Sequence, residues 1–331
     1  MTGHPRPSEE ELIARFFAPI AAPGACGLKD DAAAIQPRAG YDLVVTADAV
    51  VADVHFLTSD PAASIARKAL GVNVSDLAAK GAAPVGFVLT LALPDDWTAE
   101  WLEQFAAGLG EAASEWGCPL LGGDTVRANG PLSISITALG EVPAGGIVRR
   151  TTARTEDHIC VSGTIGDAAL GLQLLSGPTP PWASSLSEIQ RAFLIDRYRH
   201  PSPRTRLAPL VGRYASAAMD VSDGLAGDVA KMMRASGVSA QIDLSRLPLS
   251  DAARRILQIH PAAMDRIATG GDDYEILFCV ADSNLGALKS AAAQAGTEVT
   301  VIGQVIQGDA ATVFRYGTEE YRFERTSFSH F

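Results

Sequence analysis

Six stretches of the chain set carboxylates beside glycine, small or hydroxylated residues: Asp30-Asp31, Asp48, Asp76, Asp124, Asp220 with Asp223, and Asp272-Asp273. Most stand where an apolar run gives way to a loop or a helix. Oxygen ligands of this kind suit a hard cation such as Mg²⁺. The cysteines and histidines are scattered without zinc-ligand spacing, and no Ser–His–Asp or Cys–His arrangement stands out. Six acidic loops exceed what turn chemistry needs. Several Mg²⁺ ions on an acidic protein are an effective way to hold polyphosphate. Phosphoryl transfer asks mainly for alignment of donor and acceptor and for neutralised oxygens. The residues therefore point to a Mg²⁺-dependent enzyme of nucleotide phosphates without a P-loop. The one Gly pair before a helix, Gly163-Thr-Ile-Gly166-Asp167, lacks both GK[ST] and the full GxGxxG pattern, and reads as helix entry.

The central stretch is Leu120–Arg127, LLGGDTVR. Its composition predicts a strand end opening into a ligand loop, with Gly122 and Gly123 letting backbone N–H groups approach an anion. Asp124 is then placed for a cation and Arg127 for a phosphate. The plainer alternative is a Gly-rich turn capped by Asp. Asp30-Asp31 reads either as a solvated turn or as a metal-bound pair. Asp76 interrupts an apolar helical pattern, so it faces either solvent or a cation. Thr46 and Asp48 end a β-branched strand, and His55 follows a few residues later.

The elements that position these residues follow from periodicity. Helices are predicted over 8–18, 61–81, 97–116, 168–175, 188–199, 204–213, 224–235 and 284–295. Strands are predicted over 42–48, 85–93, 132–142, 158–162, 276–280 and 298–302. In the 97–116 helix, Leu102, Phe105, Leu109, Ala113 and Trp116 form one stripe that belongs mainly to the core. Trp116, at its end, either packs there or flanks a purine. Asn129-Gly130 is a hairpin signal. Ser176–Ser187, rich in Pro and Ser, reads as a surface excursion. Ser222 or Asp223 is placed to cap the following helix. The GGD theme recurs at 122–124 and 270–272, which hints at two related halves. The composition change at Pro143-Ala144-Gly145-Gly146 places a boundary near 145, giving domains 1–145 and 146–331.

At 331 residues, 47% hydrophobic and 20% charged, the chain has the composition of a globular protein. Net charge is −11 and no basic block appears, which argues against nucleic-acid binding. No apolar run has membrane-spanning length, and the N-terminus lacks a signal-peptide pattern. The expected location is the cytoplasm, with the four cysteines as free thiols.

The ordered segments KDDAAAI (29–35), TADAVVADVHF (46–56), KALGVNVSDLAAKGAAP (68–84), LLGGDTVR (120–127), MDVSDGL (219–225) and TGGDDYEILF (269–278) resemble the thiamine-monophosphate kinase family, within the aminoimidazole-ribonucleotide-synthetase-like superfamily. The resemblance spans almost the whole chain. It implies a two-domain α+β fold: an N-terminal ATP/Mg²⁺-binding sheet that dimerises into a barrel, and a C-terminal α/β sandwich domain completing the active site. It implies a homodimer and phosphorylation of thiamine monophosphate by ATP through direct in-line transfer. By motif position it implies Mg²⁺ ligands at Asp31, Thr46, Asp48, Asp76, Asp124, Asp220 and Asp223. Trp116, Gly123, Asp124, Arg150 and Ser222 would contact ATP. His55, Asp272 and the tail residue Phe328 would face thiamine monophosphate, with Phe328 covering a ring of the substrate.

Three positions depart from the family pattern. Lys29 stands where a Gly usually precedes the Asp pair, Ala47 where a hydroxyl is frequent, and Asp53 where the residue is usually small or neutral. Asp53 is expected to orient His55 or to hinder an anionic substrate. Cys26-Gly-Leu-Lys29 superficially resembles the Cys/Lys pair of selenophosphate synthetase, but the rest of that segment is missing. A non-catalytic regulator that binds nucleotide or thiamine phosphate is the remaining alternative, and the full set of acidic loops speaks against it.

Overall fold

The computed structural model describes residues 7–308 and 311–323. The chain divides into two compact units. One contains residues up to Leu77 together with Ala83–Gly145; the other contains Ala78–Ala82 and the chain from Gly146 on.

The first unit begins with a short helix, α1 (Glu9–Leu12), whose capping box joins Ser8 and Glu11. A π-turn over Ile13–Phe17 and a 3₁₀ segment over Pro23–Leu28 follow. The core of the unit is a four-stranded sheet of β1 (Tyr41–Val51), β2 (Ala83–Leu93), β3 (Leu120–Arg127) and β4 (Ser133–Pro143), in the order β1-β4-β2-β3. Two helices accompany it, α2 (Ala62–Ala79) and α3 (Ala99–Trp116). The β2–α3–β3 segment is a crossover that makes β2 and β3 parallel. Helix α3 runs from a Thr98 cap to Gly117 in left-handed conformation and buries the predicted stripe.

Two expectations change here. Leu120–Arg127 is one continuous strand, not a strand end that opens into a loop. Gly123 supplies the reason: a Cβ there would lie 1.9 Å from the Leu89 carbonyl oxygen, so only glycine lets β3 pair this closely with β2. Asn129-Gly130 does not close a hairpin, because the turn carries the chain from β3 past β2 to β4, which lies between β1 and β2.

Strand alternation separates the two faces of this sheet. Val44 and Val50 of β1, Phe87, Leu89 and Leu91 of β2, and Ile134, Ile136 and Ala138 of β4 are buried. The opposite face leaves Leu43 and Val45 44% and 57% exposed, with Val88 at 37% and Val126 at 41%. That face is open, with these apolar side chains set beside Thr90, Asp124 and Ser135.

The second unit is a seven-stranded sheet in the order β11-β10-β7-β9-β5-β8-β6. Its strands are β5 (His158–Ser162), β6 (Ala215–Asp220), β7 (Ser239–Asp243), β8 (Ile276–Val280), β9 (Val299–Ile306), β10 (Val313–Tyr316) and β11 (Glu319–Tyr321). All neighbours are antiparallel except β7 and β10. The helices are α4 (Asp167–Leu175), α5 (Glu188–Arg199), α6 (Ala208–Tyr214), α7 (Leu225–Ser236), α8 (Asp251–Ile259), α9 (Ala263–Thr269) and α10 (Asp282–Gln294). Apolar residues fill both sides of this sheet. Leu277 and Cys279 of β8 join a core with α7, α8 and α9, while Ile276, Phe278 and Val280 join one with α6 and α10. A strand buried on both faces has to read as an unbroken apolar run, which is what ILFCV does. The Pro/Ser-rich stretch at 176–187 is not simply superficial, since Trp182, Ala183 and Leu186 enter the first of these cores.

Candidate active site

Within the first unit, β1 and α2 bring together part of the expected donor set. Thr46 Oγ1 donates to Asp76 Oδ2 at 2.5 Å, and the Asp48 backbone N–H donates to Asn73 Oδ1 at 3.0 Å. Asn73 is fully buried and donates in turn to the Ala69 carbonyl at 3.1 Å. Asp76 is thus neither wholly solvated nor buried alone: it projects from an apolar helix toward a strand hydroxyl. A second group forms where Asp30, Asp31, Gly122, Gly123 and Asp124 line one cleft of about 430 Å³. The strand register sets the two groups apart. Asp124 shares its row with Thr90 and Ser135 on the open face, whereas Asp48 shares its row with Ile136 and Leu89 on the buried face.

Asp30 and Asp31 are exposed, and the Asp31 N–H donates to Asp30 Oδ1 at 2.8 Å. The Lys29 departure costs no backbone strain. The left-handed residues of this turn are Cys26, Gly27 and Leu28, while Lys29 has φ −110°. Asp53 does not orient His55. Its carboxylate accepts the Thr58 N–H at 3.2 Å and Oγ1 at 2.9 Å. His55 Nδ1 instead accepts the Val51 N–H at 3.1 Å, which assigns the proton of the neutral ring to Nε2. Arg127 is taken by Asp95, with Nη2 to Oδ2 at 2.7 Å. Trp116 is buried and carries the Arg67 guanidinium 4.8 Å from its ring centroid.

In the second unit the MDVSDGL segment turns from β6 into α7. Asp220 is buried, and Ser222 and Asp223 are half-buried. Neither Ser222 nor Asp223 caps α7: the cap position is Gly224 and has no side-chain bond. A residue passed over in the sequence shapes the turn. Asp228, fully buried on α7, accepts the N–H groups of Ser222 at 3.1 Å and Asp223 at 3.0 Å. Lys231 Nζ reaches Asp223 at 2.5 Å and Asp228 at 3.0 Å. Burial raises the Asp228 carboxyl above its ordinary value, and the nearby Lys231 charge opposes that rise. An acid three residues before a Lys in an otherwise apolar helix is the signal that could have revealed this pair. Arg150 is exposed, and its carbonyl accepts from Ser236 Oγ at 3.0 Å.

The second GGD motif is not equivalent to the first. Gly122–Asp124 lies inside a strand, while Gly270–Asp272 lies in the loop between α9 and β8. Its two acids also have different fates. Asp272 is half-buried with φ 74°, and Tyr274 Oη donates to its Oδ1 at 3.3 Å. Asp273 is structural: its Oδ2 accepts the Gly166 N–H at 2.7 Å at the start of α4. Burial pushes its carboxyl well above the usual range. Asp273 therefore leaves the count of candidate metal residues. Phe328 lies outside the described residues.

The donors at these positions are carboxylates and a threonine hydroxyl, the oxygen set a hard cation takes. Among the described residues no three acidic, His or Cys groups already sit close enough to hold one ion. Mg²⁺ does not require that, because it commonly uses one or two carboxylates and fills its shell with waters and substrate phosphates. The Thr46–Asp76 pair and the Asp30/Asp31/Asp124 cleft both fit that use.

Family models describing the N-terminal and C-terminal domains of AIR synthase related proteins match residues 29–142 and 200–315. The paired sheets and acidic turns are thus those of an AIR synthase-like, two-domain α+β protein. A thiamine-monophosphate kinase of Caulobacter vibrioides is 41% identical over 318 residues, 95% of this chain and 88% of the relative. The crystal structure of thiamine-monophosphate kinase from Stenotrophomonas maltophilia K279a is 40% identical with TM-score 0.79, covering 87% of this chain and 89% of that one. The structure of AaThiL complexed with AMPPCP and TMP is 29% identical with TM-score 0.77, covering 91% of each chain. The chain belongs to the thiamine-monophosphate kinase family.

Proposed function

We infer that this protein transfers the γ-phosphoryl group of ATP to the phosphate of thiamine monophosphate, releasing ADP and thiamine diphosphate. The observation that carries this reading is kinship at 41% identity over 95% of the chain to a thiamine-monophosphate kinase. The acidic turns of both units, at Asp30-Asp31, Asp124, Asp220 and Asp223, suit such a transfer. ATP and thiamine monophosphate are the two substrates.

Thr46, Asp48 and Asp76 on one side of the sheet, and Asp31 and Asp124 on the other, are the proposed Mg²⁺ ligands of the first unit. Asp220 and Asp223 are those of the second. Magnesium, when bound, neutralises phosphate oxygens and ties them to these carboxylates. Asn73 fixes β1 at Asp48, and Asp228 fixes the turn that presents Ser222 and Asp223. Gly123, Arg150, Ser222 and Trp116 are assigned to ATP. His55, through its Nε2 proton, is assigned to an oxygen of thiamine monophosphate, and Asp272 and Phe328 to the thiamine side of that substrate. Residues 1–145 are assigned to ATP/Mg²⁺ binding and dimerisation, and 146–331 to completing the site.

A homodimer joined through the open sheet face is part of the proposal. Leu43, Val45, Val88 and Val126 leave an exposed apolar surface of the kind that marks an interface. Such an interface would bring the Asp124 row to the two-fold seam. No helix of the described residues is long and apolar enough to cross a membrane, and reaction in the cytoplasm fits an ATP-using protein with unpaired cysteines. The test is a pair of variants, Asp48→Asn and Asp124→Asn. Both are expected to lose at least a hundredfold in kcat while sedimenting as the parent dimer. Near-parental turnover in both would overturn the metal assignment.

A further inference from the structure

Of residues 272–275 only Asp272 is half-buried, and the other three are buried. Asp273 and Glu275 turn inward, and Glu275 is completely buried. Its Oε2 accepts Ser162 Oγ at 2.6 Å and Arg204 Nε at 2.6 Å. Its Oε1 accepts Arg197 Nη2 at 2.9 Å and Arg204 Nη2. Arg197 also donates to the Asp273 carbonyl at 3.3 Å, yet its buried Nε has no hydrogen-bond partner. A buried ion network of this sort is weak evidence of a stabilising role, since apolar residues of similar volume commonly serve as well. An orphaned buried donor makes a purely stabilising role still less economical.

The backbone shows what the network constrains. Asp272 and Tyr274 both adopt left-handed φ, 74° and 50°, a conformation that side-chain-bearing residues keep only when their surroundings enforce it. The loop is zipped to the MDVSD turn by three main-chain bonds. Asp272 N–H donates to the Ser222 carbonyl at 2.9 Å, Tyr274 N–H to that of Val221 at 2.9 Å, and Val221 N–H to that of Glu275 at 2.8 Å. Gly271 permits the approach, since a Cβ there would lie 2.4 Å from the Ser222 oxygen.

We propose that Glu275, clamped by Arg197 and Arg204, is a positioning residue that holds the Asp272 loop and the Val221–Asp223 turn in fixed register, so that the groups serving the two substrates move as one body. This rests on the kinase reading of Asp272, Ser222 and Asp223. Glu275 pins the end of a short ladder, the buried Asp273 and Glu275 keep the loop strained, and the ladder passes that constraint to Ser222. None of these clamp residues is among those assigned to a substrate. Their contribution appears as registration of the two loops beyond the end of the β6–β8 ladder, whose last pair is Asp220 and Ile276.

The test uses the full-length protein with Arg204→Gln and Arg204→Lys. The lysine variant keeps the charge but loses the two-pronged contact. Amide hydrogen exchange is followed without ligands, and KM and kcat are measured for both substrates. Arg204→Gln is expected to speed exchange at Val221, Asp272 and Tyr274 at least tenfold, with the β5–β8 ladder at Ile159 and Phe278 unchanged. KM for thiamine monophosphate should rise at least tenfold, and Arg204→Lys should recover part of both effects. Parental exchange at the three amides would overturn the proposal. So would uniform acceleration across the second unit in either variant, which would mark the clamp as generally structural. Should Arg204→Gln fail to fold, Arg204→Lys alone gives the same two readings. The exchange pattern does not depend on turnover, so absence of thiamine diphosphate from the unsubstituted protein would sink the kinase reading while leaving the anchoring result intact.

Discussion

Adjacent glycines on the edge strand β3 of the first sheet should respond in opposite ways to the same methyl group. A Cβ on Gly123 would sit 1.9 Å from the Leu89 oxygen, 2.8 Å from its carbon and 3.0 Å from its nitrogen, all backbone atoms that cannot rotate away. Restoring ordinary contact near 3.4 Å requires β2 and β3 to part by about 1.5 Å. That stretches the flanking ladder bonds beyond hydrogen-bonding range. Two lost bonds at about 1 kcal/mol each, with about 1–2 kcal/mol of residual overpacking, put Gly123→Ala near 3–4 kcal/mol of destabilisation. At roughly 2–4 °C per kcal/mol for a domain of this size, Tm should fall by about 10 °C. Gly122→Ala meets no atom within 4 Å and is not in left-handed backbone, so it should be neutral or stabilising by up to about 1 kcal/mol. Calorimetric melts of both variants in one buffer provide the assay. Midpoints within 2 °C of each other would refute the close-approach account of Gly123.

Three further outcomes follow from the packing and the buried charges. Burial holds the Asp273 carboxyl above its unfolded value of about 3.9, so its contribution is fully present below about pH 4 and is lost as pH rises through the folded value. Asp273→Asn should therefore flatten the decline in urea midpoint above pH 4, and parallel parent and variant profiles would contradict this. Cys26 is exposed, whereas burial pushes the Cys118 and Cys160 thiols up to about 12 and raises Cys279 as well; a chromogenic disulfide at pH 8 should titrate one thiol in the native protein and four after denaturation, and Cys26→Ser should keep full kinase activity. Trp182 is 5% exposed in the core of the second unit, so Trp182→Ala should cost about 3–5 kcal/mol and open residues 176–187 to limited proteolysis.

Local periodicity made most elements legible. The strands at 158–162 and 276–280 and the helix at 188–199 fall where their patterns place them. The acidic positions were equally visible as residue types. Pairing across the sheet was not. The chain from β3 passes over a neighbouring strand before rejoining the sheet, and nothing near Asn129-Gly130 encodes that. The same long-range contact disguised Gly123, whose need for glycine comes from Leu89 rather than from an anion. Adjacent acids were also alike on paper. Asp272 and Asp273 differ because the Gly166 N–H at the start of α4, far away in sequence, donates to the second. Asp228 and Glu275 escaped for a related reason: one interrupts an apolar helix and the other follows an acidic pair, and a buried acid is intelligible only once its partners are known.

The most direct test of the central claim is chromatographic product analysis of the purified protein with ATP, Mg²⁺ and thiamine monophosphate, beside reactions lacking metal or offering thiamine instead. The account predicts thiamine diphosphate and ADP in equal amounts, only with metal and only with the monophosphate. Binding of both substrates without product would contradict it in favour of a non-catalytic binder, and failure to bind thiamine monophosphate at all would contradict the choice of acceptor.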